Sequence, residues 1–301
     1  MAYVSGEVGN YYDLIEVIDD TMQKVGWKQQ VRNLNTDGRL IYSLWEGTGD
    51  GTDKIYVQFR LDENTHKIMY LDSCAGYDSL LEYWEQPGSI QQWLQKESIK
   101  EVNQPVLTMP YNEKFYYWVF VDSYRIIIVL RMGIMYESAY VGFINPIACE
   151  RQFPYPMYVA GNSHNSGNLW PNNDESMVFP KNNSGMLRRA DGTWRTYTMS
   201  RSGGSYASDG TIFPYNTYNK KLIPNYREID SINQINFLLL PVMLCTNSPT
   251  DVNGVLRGVY WISGTRDLDA ERILVFGDEQ YMVFDTKQER GANTYFAVKL
   301  E

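Results

Sequence analysis

The sequence predicts an α+β fold that is predominantly antiparallel β, with an N-terminal amphipathic helix packed on a sheet. Three observations predict it. Apolar residues recur at helical spacing between Tyr11 and Val25, as in a helix with one buried face. The most apolar run of the chain, Tyr116 to Ile144, is rich in β-branched and aromatic residues broken by short polar turns, which is typical of consecutive strands. Several other segments alternate apolar and polar residues, and alternation indicates half-buried strands.

The predicted helix has a start signal and a stop signal. Asn10 is a residue type that caps helix N-termini, and Asp13 follows three positions later. Gly26 suits the left-handed conformation that commonly ends a helix. The apolar stripe is expected to dock on the sheet, because an amphipathic helix needs a surface to cover that face. It comprises Tyr11, Leu14, Ile15, Ile18, Met22 and Val25.

Three strands are predicted after this helix, because apolar and polar residues alternate in each segment. They are Arg39 to Gly47, Lys54 to Asp62 and His66 to Ser73. Their connections, GTGDGTD and ENT, are typical of turns. A short helix is predicted from Ser89 to Lys96, with the Ser89 side chain as its cap.

The run from Tyr116 to Ile144 does not have the character of a membrane span. A transmembrane helix needs about 20 predominantly apolar residues with few or no charges, and four charged residues interrupt this run: Asp122, Arg125, Arg131 and Glu137. Asp122 and Ser123 instead predict a hairpin turn between two strands, and Gly133 allows a bend before a third. The run therefore predicts a three-stranded meander.

The middle strand of the meander carries the sequence RIIIVL, Arg125 to Leu130. A strand with one face in water alternates apolar and polar residues, whereas a strand buried on both faces is apolar at consecutive positions. The sequence therefore predicts a central strand that is covered on both sides.

Three regions are expected along the chain. Residues 1–160 form an N-terminal α+β region around the meander. Residues 161–224 are crowded with Gly, Asn, Ser and Pro and predict a long irregular segment, of a kind that is often functional. Residues 225–301 form a C-terminal β region packed with the first. Its strands are predicted within Ile232 to Thr246, Leu256 to Thr265, Glu271 to Phe284 and Thr294 to Glu301.

The net charge and the N-terminal stretch bear on which functions are expected and where the chain is made. The 301 residues carry a formal net charge of -9, and binding to phosphate backbones needs Lys and Arg to replace counterions, so no direct nucleic-acid binding is expected. The densest basic stretch, Met186 to Arg195, is interpreted as a solvated loop. The N-terminal stretch lacks the basic and apolar regions of a secretory signal, so synthesis in the cytoplasm is expected.

Cysteine and histidine residues are few and far apart. The 3 cysteines, Cys74, Cys149 and Cys245, have no close spacing, which argues against a disulfide scaffold or a zinc ribbon. The 2 histidines, His66 and His164, are isolated. His164 lies beside serines, but an ordinary loop histidine is favoured over a Ser/His catalytic pair. No metal and no cofactor is predicted.

Two groups of acidic residues could carry chemistry. Glu46, Asp50 and Asp53 offer oxygen ligands for calcium, but their spacing does not match an EF-hand loop, so a solvated turn is favoured. Asp267 and Asp269 form a carboxylate pair of the kind that glycoside hydrolysis uses, but a polar connection before the next strand is favoured. The protein is therefore expected not to be an enzyme.

Isolated aromatic residues in and around the irregular segment are the candidate interface residues. They could stack on sugar rings, anchor a protein interface, or fill a local core beneath the segment. The candidates are Trp170, Trp194, Tyr206, Phe213, Tyr215 and Tyr218.

Several segments resemble a group of tailed-bacteriophage virion proteins. The resemblance lies in YDLIEVIDDTMQKVGWK near the N-terminus, in YYWVFVDSYRIIIVL and MYESAYVGFINPIACERQFPYPMYVAGN in the middle, and in the C-terminal stretch from Leu256 to Glu301. It implies a structural component of the neck, collar, tail or baseplate, with no cofactor and no catalytic residues. It also implies location in the virion after synthesis in the host cytoplasm. The implied partners are other virion proteins and copies of the chain itself in a symmetric assembly.

Two alternatives to this function remain open at the level of sequence. One is a receptor-binding or glycan-binding tail fibre or baseplate module that uses Trp170, Trp194 and Tyr206 as stacking platforms. The other is a polysaccharide hydrolase with Asp267 or Asp269 as its acid.

Overall fold

The computed structural model describes most of the chain. The described residues are 2–49, 53–62, 68–96, 104–108, 113–147, 156–163, 176–178, 180, 184–189, 191–198, 210–214, 238–246, 252–262, 268–286 and 295–300.

Two helices and ten strands make up the described elements as far as residue 147. The helices are α1 (Tyr11–Val25) and α2 (Ile90–Lys96). The strands are β1 (Ala2–Val8), β2 (Lys28–Leu34), β3 (Leu40–Gly47), β4 (Ile55–Leu61), β5 (Ile68–Cys74), β6 (Pro105–Thr108), β7 (Phe115–Val121), β8 (Arg125–Met132), β9 (Met135–Phe143) and β10 (Asn145–Pro146).

Strands alone make up the regular structure described after residue 156. They are β11 (Met157–Ala160), β12 (Asn162–Ser163), β13 (Gly185–Arg188), β14 (Trp194–Thr198), β15 (Gly210–Phe213), β16 (Leu239–Thr246), β17 (Val252–Ile262), β18 (Ile273–Phe276), β19 (Glu279–Asp285) and β20 (Tyr295–Leu300). Among the described residues, no helix has the length and apolar character needed to cross a bilayer.

The strands form two sheets. The smaller has six strands in the order β12-β6-β5-β4-β3-β2. The larger has 14 strands in the order β1-β7-β8-β9-β11-β13-β14-β15-β16-β17-β20-β19-β18, with β10 paired to β17. The described pairings are antiparallel except for β14 with β15, which is parallel. The protein is therefore mostly β and predominantly antiparallel, as predicted, and the parallel pairing of β14 with β15 makes its large sheet mixed.

The predicted meander is confirmed as β7, β8 and β9. The turn between β7 and β8 is held by Asp122, whose carboxylate accepts hydrogen bonds from the backbone N–H of Tyr124 at 2.7 Å and of Arg125 at 3.1 Å. Along β8 the side chains alternate between two different cores. Ile126 and Ile128 lie in one hydrophobic cluster and Ile127 in the other. The prediction that both faces of this strand are covered is thus confirmed.

The chain does not begin with the predicted helix. Its first described element is β1, which pairs along its whole length with β7, and α1 follows. The Asn10 side chain accepts a hydrogen bond from the Asp13 N–H at 3.0 Å at the start of α1. Gly26 lies at its end with φ 93. Sequence reading missed β1 because it is a short edge strand whose side chains are largely exposed or half-buried.

The first core lies between one face of the meander and a layer made of α1 and the small sheet. Side chains from α1, from β3 to β5 and from β7 to β9 belong to one cluster. The residues contributed by α1 include Leu14, Ile15, Ile18 and Met22, all fully buried.

The second core lies on the other face of the meander, because the large sheet bends back over itself. Phe284 on β19 packs against Trp118 on β7, with ring centroids 5.4 Å apart, and against Phe120 at 6.0 Å. Tyr136 on β9 lies 6.4 Å from the same ring. The C-terminal strands therefore cover the aromatic face of the meander.

Glu271 connects the meander to the C-terminal strands that cover it. Its carboxylate accepts a hydrogen bond from the Tyr136 hydroxyl at 2.5 Å and lies 2.9 Å from Nη1 of Arg131. Its backbone has φ 68, a left-handed conformation that costs a non-glycine residue about 1–2 kcal/mol. The contacts to Tyr136 and Arg131 hold the Glu271 side chain in place and join the C-terminal strands to the meander.

Strands from all three predicted regions join the large sheet. Within residues 161–224 the described residues include four short strands, β12 to β15. The sequence predicted an irregular segment here, because strands of two to five residues are too short to show a periodic pattern. Strands β13, β14 and β15 connect β11 to β16, so the large sheet continues from the meander to the C-terminal strands, whereas β12 pairs with β6 at the end of the small sheet.

The double-sided burial of β8 gives a prediction about stability. Replacing Ile128 by Ala removes a fully buried side chain and should lower the free energy of unfolding by about 2–5 kcal/mol. The matched change Ile134→Ala, at a residue that is 74% exposed, should change it by less than about 0.5 kcal/mol. Urea unfolding of the two variants measures the difference, and equal values would contradict the burial of β8.

Candidate functional site

Trp194 does not lie on a surface. It begins β14, is fully buried in the first core, and its indole N–H donates to the carbonyl oxygen of Gly88 at 2.9 Å. Trp194 therefore fills a local core, which was one of the three readings of the aromatic residues. It is not available in the folded chain to anchor a partner or to stack on a sugar.

Phe213 is the other candidate aromatic that the structure describes. It is half-buried, lies at the end of β15 and is paired with Met243 on β16. The remaining candidates, Trp170, Tyr206, Tyr215 and Tyr218, lie outside the described residues. Of the six candidates, the structure therefore places two, Trp194 in the first core and Phe213 at the end of β15, and the shared interface stays a prediction.

The basic stretch from Met186 to Arg195 contains a hairpin where a solvated loop was expected. Strand β13 pairs with β14, so that Arg188 lies opposite Trp194. The Arg188 side chain is buried, and burial lowers the pKa of its guanidinium. Much of this basic charge is therefore held within the fold.

The acidic loop that could have bound calcium is occupied by internal contacts. Glu46 forms an ion pair with Lys54 at 2.7 Å and accepts a hydrogen bond from Gln30 at 2.9 Å. Asp53 is buried, and Asp50 lies outside the described residues. Across the described ranges, no group of three His, Cys, Asp or Glu side chains could hold a metal ion.

The carboxylate pair proposed for hydrolysis is described only in part. Asp269 is exposed, whereas Asp267 lies outside the described residues. His66, His164 and Cys149 also lie outside them. Cys74 is buried and Cys245 is half-buried, and both are free thiols.

Sequence reading missed a buried carboxylate on α1. Asp19 accepts hydrogen bonds from the Ser43 hydroxyl at 2.9 Å and the Trp45 indole at 2.8 Å. Desolvation raises its pKa to about 6. Asp19 follows Ile15 by four residues, so it lies on the apolar stripe of the helix, and that position was the signal for its burial. Its contacts hold α1 against the small sheet.

A second buried carboxylate lies on β5. One oxygen of Asp72 accepts hydrogen bonds from the backbone N–H of Ser73 at 2.7 Å and of Ile90 at 2.9 Å. Desolvation raises the pKa of Asp72 to about 7. Acids with raised pKa values are common in active sites, but Asp72 fixes the start of α2, where the Ser89 hydroxyl accepts from the Gln92 N–H at 3.0 Å. Its role in the described structure is to join α2 to the small sheet.

The exposed apolar residues of the described chain point to a different kind of site, on β18. Ile273, Val275 and Phe276 are exposed, and these three residues are called the β18 edge here. Strand β18 is the last in the order of the large sheet, and among the described strands it pairs with β19 alone. Its outer margin is thus a sheet edge flanked by apolar side chains.

The turn after β18 determines which backbone groups face outward. Gly277 has φ 61, as required at the first central position of a two-residue II′ turn. Such a turn makes Phe276 and Glu279 a hydrogen-bonded pair, and bonded pairs alternate along an antiparallel ladder. The backbone N–H and C=O groups of Ile273 and Val275 therefore point away from β19, toward the open side.

The side chains of β18 are divided between its two faces. Leu274 is buried in a small cluster with Val283 and Leu268. Ile273 and Val275 lie on the opposite face, where Ile273 is 49% exposed and Val275 62% exposed. One face of β18 is therefore fixed to the fold, and the other is presented to solvent.

Comparison with known proteins adds no family to this description. No protein-family model matches the chain, and no curated protein matches it.

The buried carboxylate on β5 gives a prediction about pH. Because the pKa of Asp72 is raised from 3.8 to about 7 on folding, the folded state holds the proton over that interval, and this group lowers stability as pH rises from 3.8 to about 7. Asp72→Asn keeps an oxygen that can accept from both N–H groups, so this part of the pH dependence should vanish. Urea unfolding across the interval tests it.

The exposed Asp269 provides the control for this comparison. Asp269→Asn should retain the wild-type dependence of unfolding free energy on pH. Identical pH profiles for the wild type and Asp72→Asn would show that Asp72 does not hold a proton in the folded state.

Proposed function

We propose that this chain is a non-catalytic structural component of a tailed phage particle, at the neck or collar or in the tail, and that it acts through protein–protein interfaces. The observation that carries the proposal is the β18 edge, an apolar strand margin with outward backbone groups. The resemblance of the sequence to phage virion proteins supplies the kind of particle.

An open apolar edge is unusual in a chain that works alone. Soluble proteins blunt their edge strands with charges, prolines, bulges or a covering element, because an exposed edge pairs with other chains. Between Arg272 and Asp278, the β18 edge presents Ile273 and Val275 without a charge on that face. Addition of a strand from a neighbouring subunit would bond the outward N–H and C=O groups and bury both side chains.

The partner that fits this edge is a second copy of the chain. Two β18 strands can lie antiparallel with Val275 of one copy opposite Val275 of the other. The outward N–H and C=O groups of each Val275 then face those of its copy, as hydrogen bonding in an antiparallel ladder requires. In the same register Arg272 of one copy lies opposite Asp278 of the other. Each contact then contains two such pairs of opposite charge, which is the self-complementary arrangement of an interface with two-fold symmetry.

The rest of the described structure suits a building block. Both sides of the meander are occupied by packed side chains, which makes the centre of the molecule a rigid support. The buried carboxylates Asp19 and Asp72 are engaged in holding helices to the small sheet. These features support a function carried by shape and by contact with neighbouring chains.

Purified phage particles provide the test of location. Peptides of this chain should be found by mass spectrometry in mature particles, and density that fits its two sheets should be found in the neck or tail by cryo-EM. Absence of the chain from mature particles would overturn the proposal.

The β18 edge gives a prediction about self-association. Val275→Lys places a charge at the centre of the proposed contact and should shift the purified chain from dimer to monomer in sedimentation velocity. Ile134→Lys introduces the same charge at another exposed apolar residue, in the turn between β8 and β9, and should leave the dimer intact. An unchanged dimer in Val275→Lys would contradict the role of this edge.

The charge pair of the proposed register gives an independent prediction. Arg272→Asp alone and Asp278→Arg alone each place like charges opposite each other and should weaken the dimer. The double variant restores opposite charges in reversed order and should recover part of the affinity. If the single variants weaken the dimer and the double variant does not recover affinity, this register is wrong. The location of the chain in the particle is tested separately by mass spectrometry and cryo-EM.

A further inference from the structure

A polar pocket of about 440 Å³ lies where the meander meets the C-terminal strands. Its walls come from the β7–β8 turn, from β17 and from β20, with the end of α1 and Asn145 at the margin. The residues that give the pocket its chemistry are Asp122, Arg125, Arg257, Gly258 and Lys299.

A bulge in β17 forms one wall. Pro241 and Met243 on β16 pair with Tyr260 and Val255 on β17. One residue of β16 therefore lies opposite four residues of β17, and the extra residues of β17 arch away from the ladder. Bulges of this kind redirect side chains and are common beside functional sites. Here the arch brings Arg257 and Gly258 over the β7–β8 turn.

Gly258 is required at the top of this arch. It has φ 62, and a Cβ atom there would lie 2.5 Å from both Nη1 and Nη2 of Arg125. Glycine therefore supplies both the left-handed backbone and the room for the guanidinium group. The Arg125 guanidinium packs directly against Gly258, and only 2% of Arg125 is exposed.

The charge of the lining is predominantly positive. Arg125, Arg257 and Lys299 face one carboxylate, Asp122. That carboxylate is already engaged, because one oxygen lies 2.8 Å from Nε of Arg125 and the other accepts backbone hydrogen bonds from its own turn. In a chain with a net charge of -9, such a concentration of cations is a local exception.

Two of the cations are held in fixed places. The Arg257 guanidinium lies 3.6 Å from the centroid of the Tyr124 ring, a stacked position that leaves its N–H groups oriented along the ring plane. Lys299 forms an ion pair with Glu279 at 2.5 Å, and Glu279 is not part of the lining. An arginine fork that is fixed in this way matches the paired oxygens of a carboxylate or phosphate.

We propose that this pocket binds a small molecule that carries an oxyanion group, a phosphate or a carboxylate. The oxyanion lies between Arg257, Lys299 and the guanidinium of Arg125. The pocket is larger than one such group, since a single water occupies about 30 Å³ in the liquid, and it leaves room beside Tyr260 and Asn145 for an organic part of the ligand. The pocket shares no residue with the β18 edge and does not depend on the proposed assembly.

Isothermal titration calorimetry on the full chain tests the proposal, with inorganic phosphate, citrate and glucose 6-phosphate as probes and sodium chloride as the ionic-strength control. Saturable binding of at least one oxyanion is expected. Arg257→Gln and Lys299→Gln should each weaken it by about tenfold or more, as expected for a hydrogen bond to a charged group. The relative affinities of the three probes distinguish a phosphate site from a carboxylate site.

Glu279→Gln is the decisive variant because its expected effect has the opposite sign. It removes the carboxylate that pairs with Lys299 and should strengthen oxyanion binding, an effect that damage to the fold cannot imitate. Lys114→Gln, which removes an exposed cation paired with Glu7, should leave the affinity unchanged. Absence of saturable binding to all three probes, or binding that Arg257→Gln and Glu279→Gln leave unchanged, would overturn the proposal.

Discussion

The burial of β8 on both faces is the constraint on which the rest of the structure depends. A strand that is apolar at consecutive positions cannot leave either side in water without exposing a continuous hydrophobic surface. Here α1 and the small sheet cover one face, and β19 with its neighbours covers the other. The large sheet has to bend back on itself to provide the second cover, and that bend also creates the junction where Arg125 meets Gly258.

The sequence predicts those helices and strands in which apolar and polar residues follow a regular pattern along the chain. The meander, β3 to β5, α2 and the C-terminal strands were found because their residues alternate or run apolar over enough positions to be counted. Strands β1 and β2 were missed, since β2 is largely exposed and an edge strand is held mainly by backbone bonds to a distant neighbour. The short strands β12 to β15 were missed because two to five residues are too few to show a periodic pattern, and the parallel pairing of β14 with β15 was missed with them.

The candidate sites could be predicted to a smaller extent. Aromatic residues in a polar segment suggest exposure, but Trp194 is buried because strands distant in sequence close over it. The β18 edge could be recognised from its apolar residues only after the strand order showed that β18 is last. The oxyanion pocket depends on the approach of Arg125 to Gly258, a contact between residues far apart in the chain. Local patterns in the sequence carry no information about such a contact.

The closure of the second core by β19 has a consequence for biosynthesis. The aromatic face formed by Trp118, Phe120 and Tyr136 is completed on the ribosome well before Phe284 is translated. During that interval the nascent chain carries an uncovered apolar sheet, and its high contact order makes spontaneous closure slow. Until Phe284 is added and packs, this face is open to contact with other chains, as in incompletely folded intermediates that aggregate.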